Sequence, residues 1–94
     1  MFNNPRYITS GIAEKIPLHL QALMWELIDN LSIEKDYLQV FTFSECGGKL
    51  KLTHRQECPE YLREYLIADT PAFNAKIYVI DSIDYSCMLL NYEY

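Results

Sequence analysis

The sequence predicts an α+β domain in which an antiparallel sheet of about five strands packs against one long helix, with a second, short helix beside it. Apolar residues recur with helical spacing after Pro17. Two β-prone runs alternate on either side of Gly47-Gly48, and two more flank the polar segment 81–84. Because two hairpins impose antiparallel pairing and one long helix can cover one face of their sheet, these observations together predict this class.

The first strand and the long helix occupy the first third of the chain. Residues 6–9 form a short β-prone run that ends at Ser10-Gly11, which predicts a strand. Pro17 suits the first turn of a helix, and the helical pattern continues to about Leu31. The core-facing stripe of this helix has the spacing of one helical face and consists of Leu20, Leu23, Met24, Leu27, Ile28 and Leu31.

A second apolar stripe lies on the opposite side of the same helix. Leu18, Ala22 and Trp25 project where a helix with one buried face carries polar groups. The stripe is either covered by another part of the chain, such as the C-terminal residues or segment 71–73, or left as an exposed apolar patch. Exposed patches of this kind mark protein interfaces, and homodimerisation is the simplest interface.

The clearest local signal is a β-hairpin. Residues 37–43 and 49–56 alternate in polarity and are joined across Gly47-Gly48, which predicts a two-residue turn. A turn at these two glycines places Phe41 opposite His54 on the core face of the hairpin. The other face of the second strand is polar and points to water.

A second short helix and a second hairpin complete the predicted fold. Pro59 marks another helix start, and a short amphipathic pattern follows it and stops before Thr70-Pro71. Residues 76–80 and 86–92 predict two further strands joined by the polar turn 81–84. The apolar positions of the short helical pattern are Tyr61, Leu62, Tyr65 and Leu66.

Composition bounds the class of protein. The chain has 94 residues, 50% of them hydrophobic and 14% aromatic, which predicts one globular domain, 1–94, and excludes intrinsic disorder. No run approaches the ~20 apolar residues of a membrane span, and residues 1–10 lack the apolar core of a secretion signal. We therefore expect a cytoplasmic protein whose three cysteines stay reduced.

Charge is unevenly distributed along the chain. Residues 1–56 hold equal numbers of acids and bases, so the whole formal charge of −5 falls in residues 57–94, together with six of the eight tyrosines. With a pI near 4.8, direct nucleic-acid binding is not expected. A basic stripe is present at Lys49, Lys51 and Arg55, and a solvated strand face explains it equally well.

Neither a metal site nor a catalytic cluster is predicted. Ligand types for zinc are present at His19, Cys46, His54, Cys58 and Cys87. They lack the close paired spacing of structural zinc sites. His54 and Cys58 are near one another in sequence, yet nothing fixes a nucleophile beside its base. We therefore expect no cofactor, no metal and no enzymatic activity.

The sequence resembles a small family of uncharacterised proteins, a domain of unknown function found in Gram-positive bacteria and sometimes on mobile elements. The resemblance runs over nearly the whole chain and implies no activity, cofactor or catalytic residue. Where a mobile element is involved, it implies a regulatory or counter-defence protein that binds a host protein. The matching residues are 6–9, Gly11, Pro17, Leu20-Gln21, Trp25, Ile28-Asp29, 37–41, His54, Gln56-Glu57, 59–61, 76–81, Asp84-Tyr85 and 88–90.

These observations favour a non-enzymatic protein-interaction or regulatory module that self-associates or binds a protein partner. The alternative is an acidic decoy whose residues 57–94 bind a basic, nucleic-acid-binding host protein. The predicted interface combines the second helical stripe with the acidic, tyrosine-containing short helix and consists of Leu18, Ala22, Trp25, Glu60, Tyr61, Glu64 and Tyr65.

Overall fold

A computed structural model describes residues 1–94 and contains one six-stranded sheet with two helices on one side of it. The strands are β1 (Arg6–Ile8), β2 (Leu38–Cys46), β3 (Lys49–Gln56), β4 (Tyr61–Ile67), β5 (Ala75–Asp81) and β6 (Ser86–Leu90). The helices are α1 (Ser10–Lys15) and α2 (Leu18–Asp29), and a short 3-10 helix follows β6 at Asn91–Glu93. The strands lie side by side in the order β1-β6-β5-β2-β3-β4. None of the helices is long and apolar enough to cross a membrane.

The predicted hairpin is confirmed as β2 and β3. Gly47 and Gly48 both have positive φ, 60° and 79°, the backbone conformation that a two-residue hairpin turn requires and that glycine adopts without strain. The antiparallel register that follows places Phe41 opposite His54 and Val40 opposite Arg55. The local turn therefore determines which side chains of this hairpin face the core.

The predicted architecture of about five antiparallel strands against one long helix is wrong. The sheet has six strands, and it is mixed because β1 pairs in parallel with β6 while all other neighbours are antiparallel. The helical part consists of two short helices of 6 and 12 residues. The fold is therefore mostly sheet, and its first strand joins the edge beside the last one.

The second predicted helix is strand β4. Its apolar residues recur four positions apart, at Tyr61 and Tyr65 and at Leu62 and Leu66, and a spacing of four suits both a helix and the alternation of a strand. In the structure Tyr61 and Tyr65 are half-buried while Leu62 and Leu66 are exposed. Seven consecutive pairs with β3 satisfy the backbone on one side, and this tertiary pairing overrides the local helical preference.

The structure adds a helix, α1, before Pro17, the residue at which the predicted long helix begins. Thr9 caps α1 through a hydrogen bond that its Oγ1 accepts from the amide of Ile12 at 3.3 Å. Pro17 then stands immediately before α2, which ends at Asp29 rather than near residue 31. Both helices pack on the same sheet face and bury a common core: Phe2, Ile12, Ile16, Leu20, Met24, Ile28, Phe41, Phe43, Leu50, Leu52, Ile77, Val79, Met88 and Leu90.

The two sheet faces differ in what covers them. We call the face under α1 and α2 the inner face and the opposite one the outer face. Alternation along each strand and the register between strands assign every strand residue to one of the two. Neither α1 nor α2 packs on the outer face. This face presents Tyr7, Leu38, Val40, Thr42, Ser44, Cys46, Lys49, Lys51, Thr53, Arg55, Leu62, Glu64, Leu66, Lys76, Tyr78, Ile80, Cys87 and Leu89.

Candidate functional site

The second stripe of α2 is only partly covered by its own chain. Leu18 is 77% exposed and Ala22 is exposed, whereas Trp25 is half-buried and packs against the core. The guanidinium of Arg6 lies over the Trp25 ring, 4.7 Å from its centroid. The exposed end of the stripe is therefore at Leu18, and the covered end is at Trp25. We call Leu18, Ala22 and Trp25 the α2 stripe.

An ion pair with Asp29 holds the guanidinium of Arg6 over Trp25. Both terminal nitrogens of Arg6 donate to the carboxylate of Asp29, one turn beyond Trp25 on the same side of α2. One of them also donates to the backbone carbonyl of Phe2 at 3.1 Å. The fork fixes the guanidinium over the Trp25 ring, so it shields one face of the ring from solvent.

A shallow hollow adjoins Leu18 where α1 meets α2. Its volume is about 400 Å³, and its lining combines apolar residues, among them Ile8 and Ala13, with the polar residues Glu14, Lys15 and Gln21. Ile8 is 40% exposed and belongs to β1, the edge strand of the sheet on this side. The α2 stripe therefore continues onto a partly apolar hollow and an unpaired strand edge, and an unpaired strand edge is typical of an association surface.

The structure does not bring the seven predicted interface residues together. Glu60 lies in the turn before β4, and Tyr61, Glu64 and Tyr65 lie on β4 itself. Strand β4 is at the opposite edge of the sheet from β1, five strand spacings or about 24 Å away. Glu64 forms an ion pair with Lys51 at 2.9 Å on the outer face. The predicted interface is thus divided between two elements, α2, whose Trp25 contacts Arg6 of β1, and the edge strand β4.

His54 is fully buried on the inner face. Its ring stacks on Phe41, with centroids 4.3 Å apart, and meets the edge of Tyr61. Its Nε2 lies 2.6 Å from Oε1 of Gln39, whose amide nitrogen donates to Gln56 and to the backbone of Asp36. Because the amide nitrogen of Gln39 donates, its Oε1 must accept, and Nε2 of His54 is therefore the donor. The other ring nitrogen, Nδ1, is then a buried acceptor without a partner.

The hydrogen-bonded side chains of His54, Gln39 and Gln56 connect separate segments of the backbone. Gln56 donates to the carbonyls of Glu34 and Pro59, so it joins the segment before β2 to the turn before β4. Burial lowers the pKa of His54 to about 4, so the ring is neutral at neutral pH. Cys58 is exposed in that turn, so the structure does not bring the buried ring of His54 and this thiol into one site. No group of three or more potential metal ligands occurs.

Acidic side chains from three segments gather at one end of the sheet. Segments 30–37, 57–60 and 81–85 all lie where β2 and β6 begin and β3 and β5 end. Together they carry six carboxylates and one base, Lys35. We call this region the acidic end. The carboxylates are Glu34, Asp36, Glu57, Glu60, Asp81 and Asp84.

Two of these acids, Glu34 and Asp36, belong to residues 1–56, which have no net charge, so the sequence alone does not indicate this grouping. Asp81 has a structural role as well. Burial acts to raise its pKa, but the amides of Phe2 and Ile83 and the side chain of Asn4 donate to the carboxylate and together lower that pKa. The remaining acids of this end are free of such contacts except Asp36, which accepts from the amide of Cys58 at 3.1 Å.

Basic side chains gather instead on the outer face. Lys49, Lys51 and Arg55 come from β3, and the register of β2 with β5 adds Lys76 opposite Thr42. Only Lys51 has an ion-pair partner. Lys76 was not recognised with the other three from the sequence, because only the long-range pairing of β2 with β5 brings it beside them.

Comparison with known proteins supports the resemblance inferred from the sequence. A family model described as "Staphylococcal protein of unknown function (DUF960)" matches residues 5–93. A crystal structure of a protein of unknown function from Enterococcus faecalis has the same fold, with a TM-score of 0.85 over 97% of this chain and 91% of that one, at 23% identity. No curated protein matches the sequence. The resemblance to an uncharacterised family of Gram-positive bacteria is therefore confirmed.

Proposed function

The chain belongs to this family of unknown function, and from its surfaces we propose that it is a non-enzymatic cytoplasmic interaction module that self-associates through the α2 stripe. The observation that supports this most is the 77% exposure of Leu18 beside a partly apolar hollow and an unpaired strand edge. An isolated exposed leucine needs no explanation, but one that adjoins further exposed apolar residues, Ile8 and Ala13, favours an interface.

The order of side chains in the stripe suits a twofold contact. Leu18, Ala22 and Trp25 fall at i, i+4 and i+7, so a small residue stands between two large ones. If two copies of α2 cross in antiparallel fashion at Ala22, Leu18 of each copy meets the open face of Trp25 in the other. A small residue at the crossing point lets helix axes approach to about 8–10 Å.

The helix contact alone would be too small for a stable dimer. Specific interfaces bury about 1,200 Å² or more in total. The hollow lined by Ile8 and Ala13 supplies additional apolar surface on the same side of the molecule. The fork from Arg6 to Asp29 keeps Trp25 in one orientation, which lowers the entropy lost when the ring is covered.

Sedimentation velocity over a wide concentration series tests the proposal. We expect the wild-type chain to form a dimer and Leu18→Asp to remain monomeric, because a carboxylate in a closed apolar contact loses its hydration. Ile83→Asp is the matched control, since Ile83 is 87% exposed but lies at the acidic end. A wild-type chain that stays monomeric, or a control that dissociates as readily as Leu18→Asp, would contradict the proposal.

The gathering of carboxylates favours one second candidate, a decoy that presents the acidic end to a basic, nucleic-acid-binding protein. Four of its carboxylates, those of Glu34, Glu57, Glu60 and Asp84, come from three different segments and make no hydrogen bond or ion pair with the rest of the chain. Elution of host proteins from immobilised heparin tests it. The wild-type chain should release basic proteins that a variant with Glu57→Gln and Glu60→Gln does not, and equal release by both rejects the decoy.

A further inference from the structure

We infer that the outer face of the sheet binds single-stranded nucleic acid, with its basic residues on the phosphates and its tyrosines against the bases. The basic residues are Lys49, Lys51, Arg55 and Lys76, which we call the basic patch. This function is separate from self-association, because α2 and the outer face lie on opposite sides of the sheet.

The charge of the outer face is opposite to that of the molecule. The protein has a formal charge of −5, yet this face holds four cations and a single carboxylate, Glu64. Glu64 neutralises Lys51 alone, so Lys49, Arg55 and Lys76 have no acidic partner. Cations that the fold leaves unpaired on one face attract a polyanion to that face.

The centre of the basic patch has the geometry of a phosphate site. Thr42 and Thr53 are direct partners across β2 and β3, and Lys76 and Arg55 stand on the strands that flank β2. The two cations are separated by two strand spacings, about 10 Å across the sheet. A hollow of about 440 Å³ lies between them; Thr42 and Thr53 belong to its lining, together with Val40, Leu62 and Glu64, whose carboxylate is paired with Lys51. Hydroxyl and cationic donors around one hollow are the groups that bind phosphate oxygens.

Tyrosines continue the face beside the patch. Tyr78 follows Lys76 on β5, and the 84% exposed ring of Tyr94 stands edge-on to it, with centroids 5.8 Å apart. Tyr7 and Tyr85 form a second edge-on pair, 5.9 Å between centroids, at the β1 edge. The two pairs thus lie on the same side of the patch, from β5 outward to β1. Exposed aromatic rings are the surfaces on which unstacked bases pack.

These features favour a single strand over a duplex or an acidic peptide. The bases of a duplex are stacked on each other and unavailable to tyrosine rings, and no helix projects from this face to enter a groove. An acidic peptide would use the cations and leave the tyrosine pairs without flat partners. A single strand laid across the sheet uses both, as it does on other open sheets with exposed aromatic residues.

Fluorescence anisotropy with labelled oligo(dT) and oligo(rU) of twelve nucleotides tests the inference, and the two probes distinguish DNA from RNA. Three phosphate contacts predict that affinity falls about tenfold as salt rises from about 50 to about 150 mM. The variant Arg55→Gln with Lys76→Gln should bind at least about tenfold more weakly at low salt. Its matched control, Lys35→Gln with Arg63→Gln, removes two charges outside the outer face and should bind as the wild type does.

A separate variant tests the contribution of the tyrosines to oligonucleotide binding. Tyr94→Ala changes an exposed ring and leaves the core intact, so we expect it to fold normally and to weaken oligonucleotide binding at least about fivefold. Polyglutamate of equal length is the competitor that separates base packing from charge. Displacement of the oligonucleotide by polyglutamate at equal charge concentration, equal loss in the two charge variants, or no binding at low salt would each overturn the inference.

Discussion

The guanidinium of Arg6 lies 4.7 Å from the centroid of the Trp25 ring and forks onto the carboxylate of Asp29. This contact connects the edge strand β1 to the side of α2 that carries the α2 stripe. It explains why an aromatic residue on the solvent side of a helix is half-buried without being part of the main core stripe. It also makes Trp25 a reporter of the region in which we propose self-association.

Replacement of Arg6 should expose Trp25. Arg6→Ala removes the cation over the ring and the ion pair to Asp29, and we expect it to lower the free energy of unfolding by about 1 kcal/mol. Trp25 is the chain's single tryptophan, so its fluorescence maximum should shift to longer wavelength. Asp29→Asn is the control, because it weakens the fork but leaves the cation. An unchanged emission spectrum in Arg6→Ala would contradict the contact.

Stability should depend on pH through His54. The pKa of His54 is about 4 in the folded protein and near 6.5 in the unfolded chain, because burial disfavours the charged ring. Between these pH values the unfolded chain binds more protons, so stability falls as pH falls through this window and is constant with respect to His54 above it. The loss approaches roughly 3 kcal/mol at the lower limit.

Urea unfolding at a series of pH values measures that loss, and proton NMR follows the ring itself. The ring signals of His54 should move only near pH 4. A midpoint for His54 near its unfolded value would show that the ring is hydrated, and the buried polar chain to Gln39 and Gln56 would then be wrong.

Ile83 should be a site at which substitution stabilises the protein. Its φ is +77°, a conformation that β-branched residues avoid, and its side chain is 87% exposed and therefore contributes little packing. Ile83→Gly should raise the free energy of unfolding by about 1 kcal/mol, or the melting temperature by about 4–8 °C. Ser32→Gly, at an exposed position without positive φ, should lower it slightly. The reverse order would contradict strain at Ile83.

A residue larger than glycine at position 11 should disturb the carboxylate of Glu93. A Cβ at Gly11 would lie 2.6 Å from Oε2 of Glu93, and that carboxylate is held by Thr9 Oγ1 at 2.7 Å and by the amide of Leu90 at 2.9 Å. The hydrogen bond from Thr9 is the main reason that the pKa of Glu93 is lowered. We expect Gly11→Ala to lower the free energy of unfolding modestly, because the methyl group displaces the carboxylate end of Glu93 from these two hydrogen bonds.

A double-mutant cycle separates this effect from helix propensity. In a Glu93→Ala background, Gly11→Ala should be neutral or stabilise the protein by up to about 1 kcal/mol, since alanine is the better helix former. Chemical denaturation of the four variants gives the coupling free energy. Equal cost of Gly11→Ala in both backgrounds would contradict a direct clash.

Local patterns predicted local structure well. The Gly47-Gly48 turn and the alternation on either side of it were enough to predict the register of β2 with β3, and with it the contact of Phe41 with His54. Strand β4 was mistaken for a helix because a spacing of four residues does not distinguish the two. Its state depends on pairing with β3.

The candidate surfaces depended on contacts between distant parts of the chain. Trp25 was identified from its helical position, but its cover by Arg6 follows from where β1 joins the sheet. The basic patch also depends on such long-range contacts, since only the pairing of β5 with β2 places Lys76 on the same face as Arg55. Net charge averages over faces, and neither the basic outer face nor the acidic end follows from it.

Disulfide trapping at Ala22 tests self-association through α2 most directly. In a background with Cys46, Cys58 and Cys87 replaced by serine or alanine, Ala22→Cys should oxidise rapidly to a covalent dimer, because the twofold crossing brings the two thiols together. Ser32→Cys, an exposed position off α2, is the control and should react slowly. Fast dimer formation at Ala22 alone is the predicted result; equal rates at both positions, or no dimer at Ala22, would contradict a contact through α2.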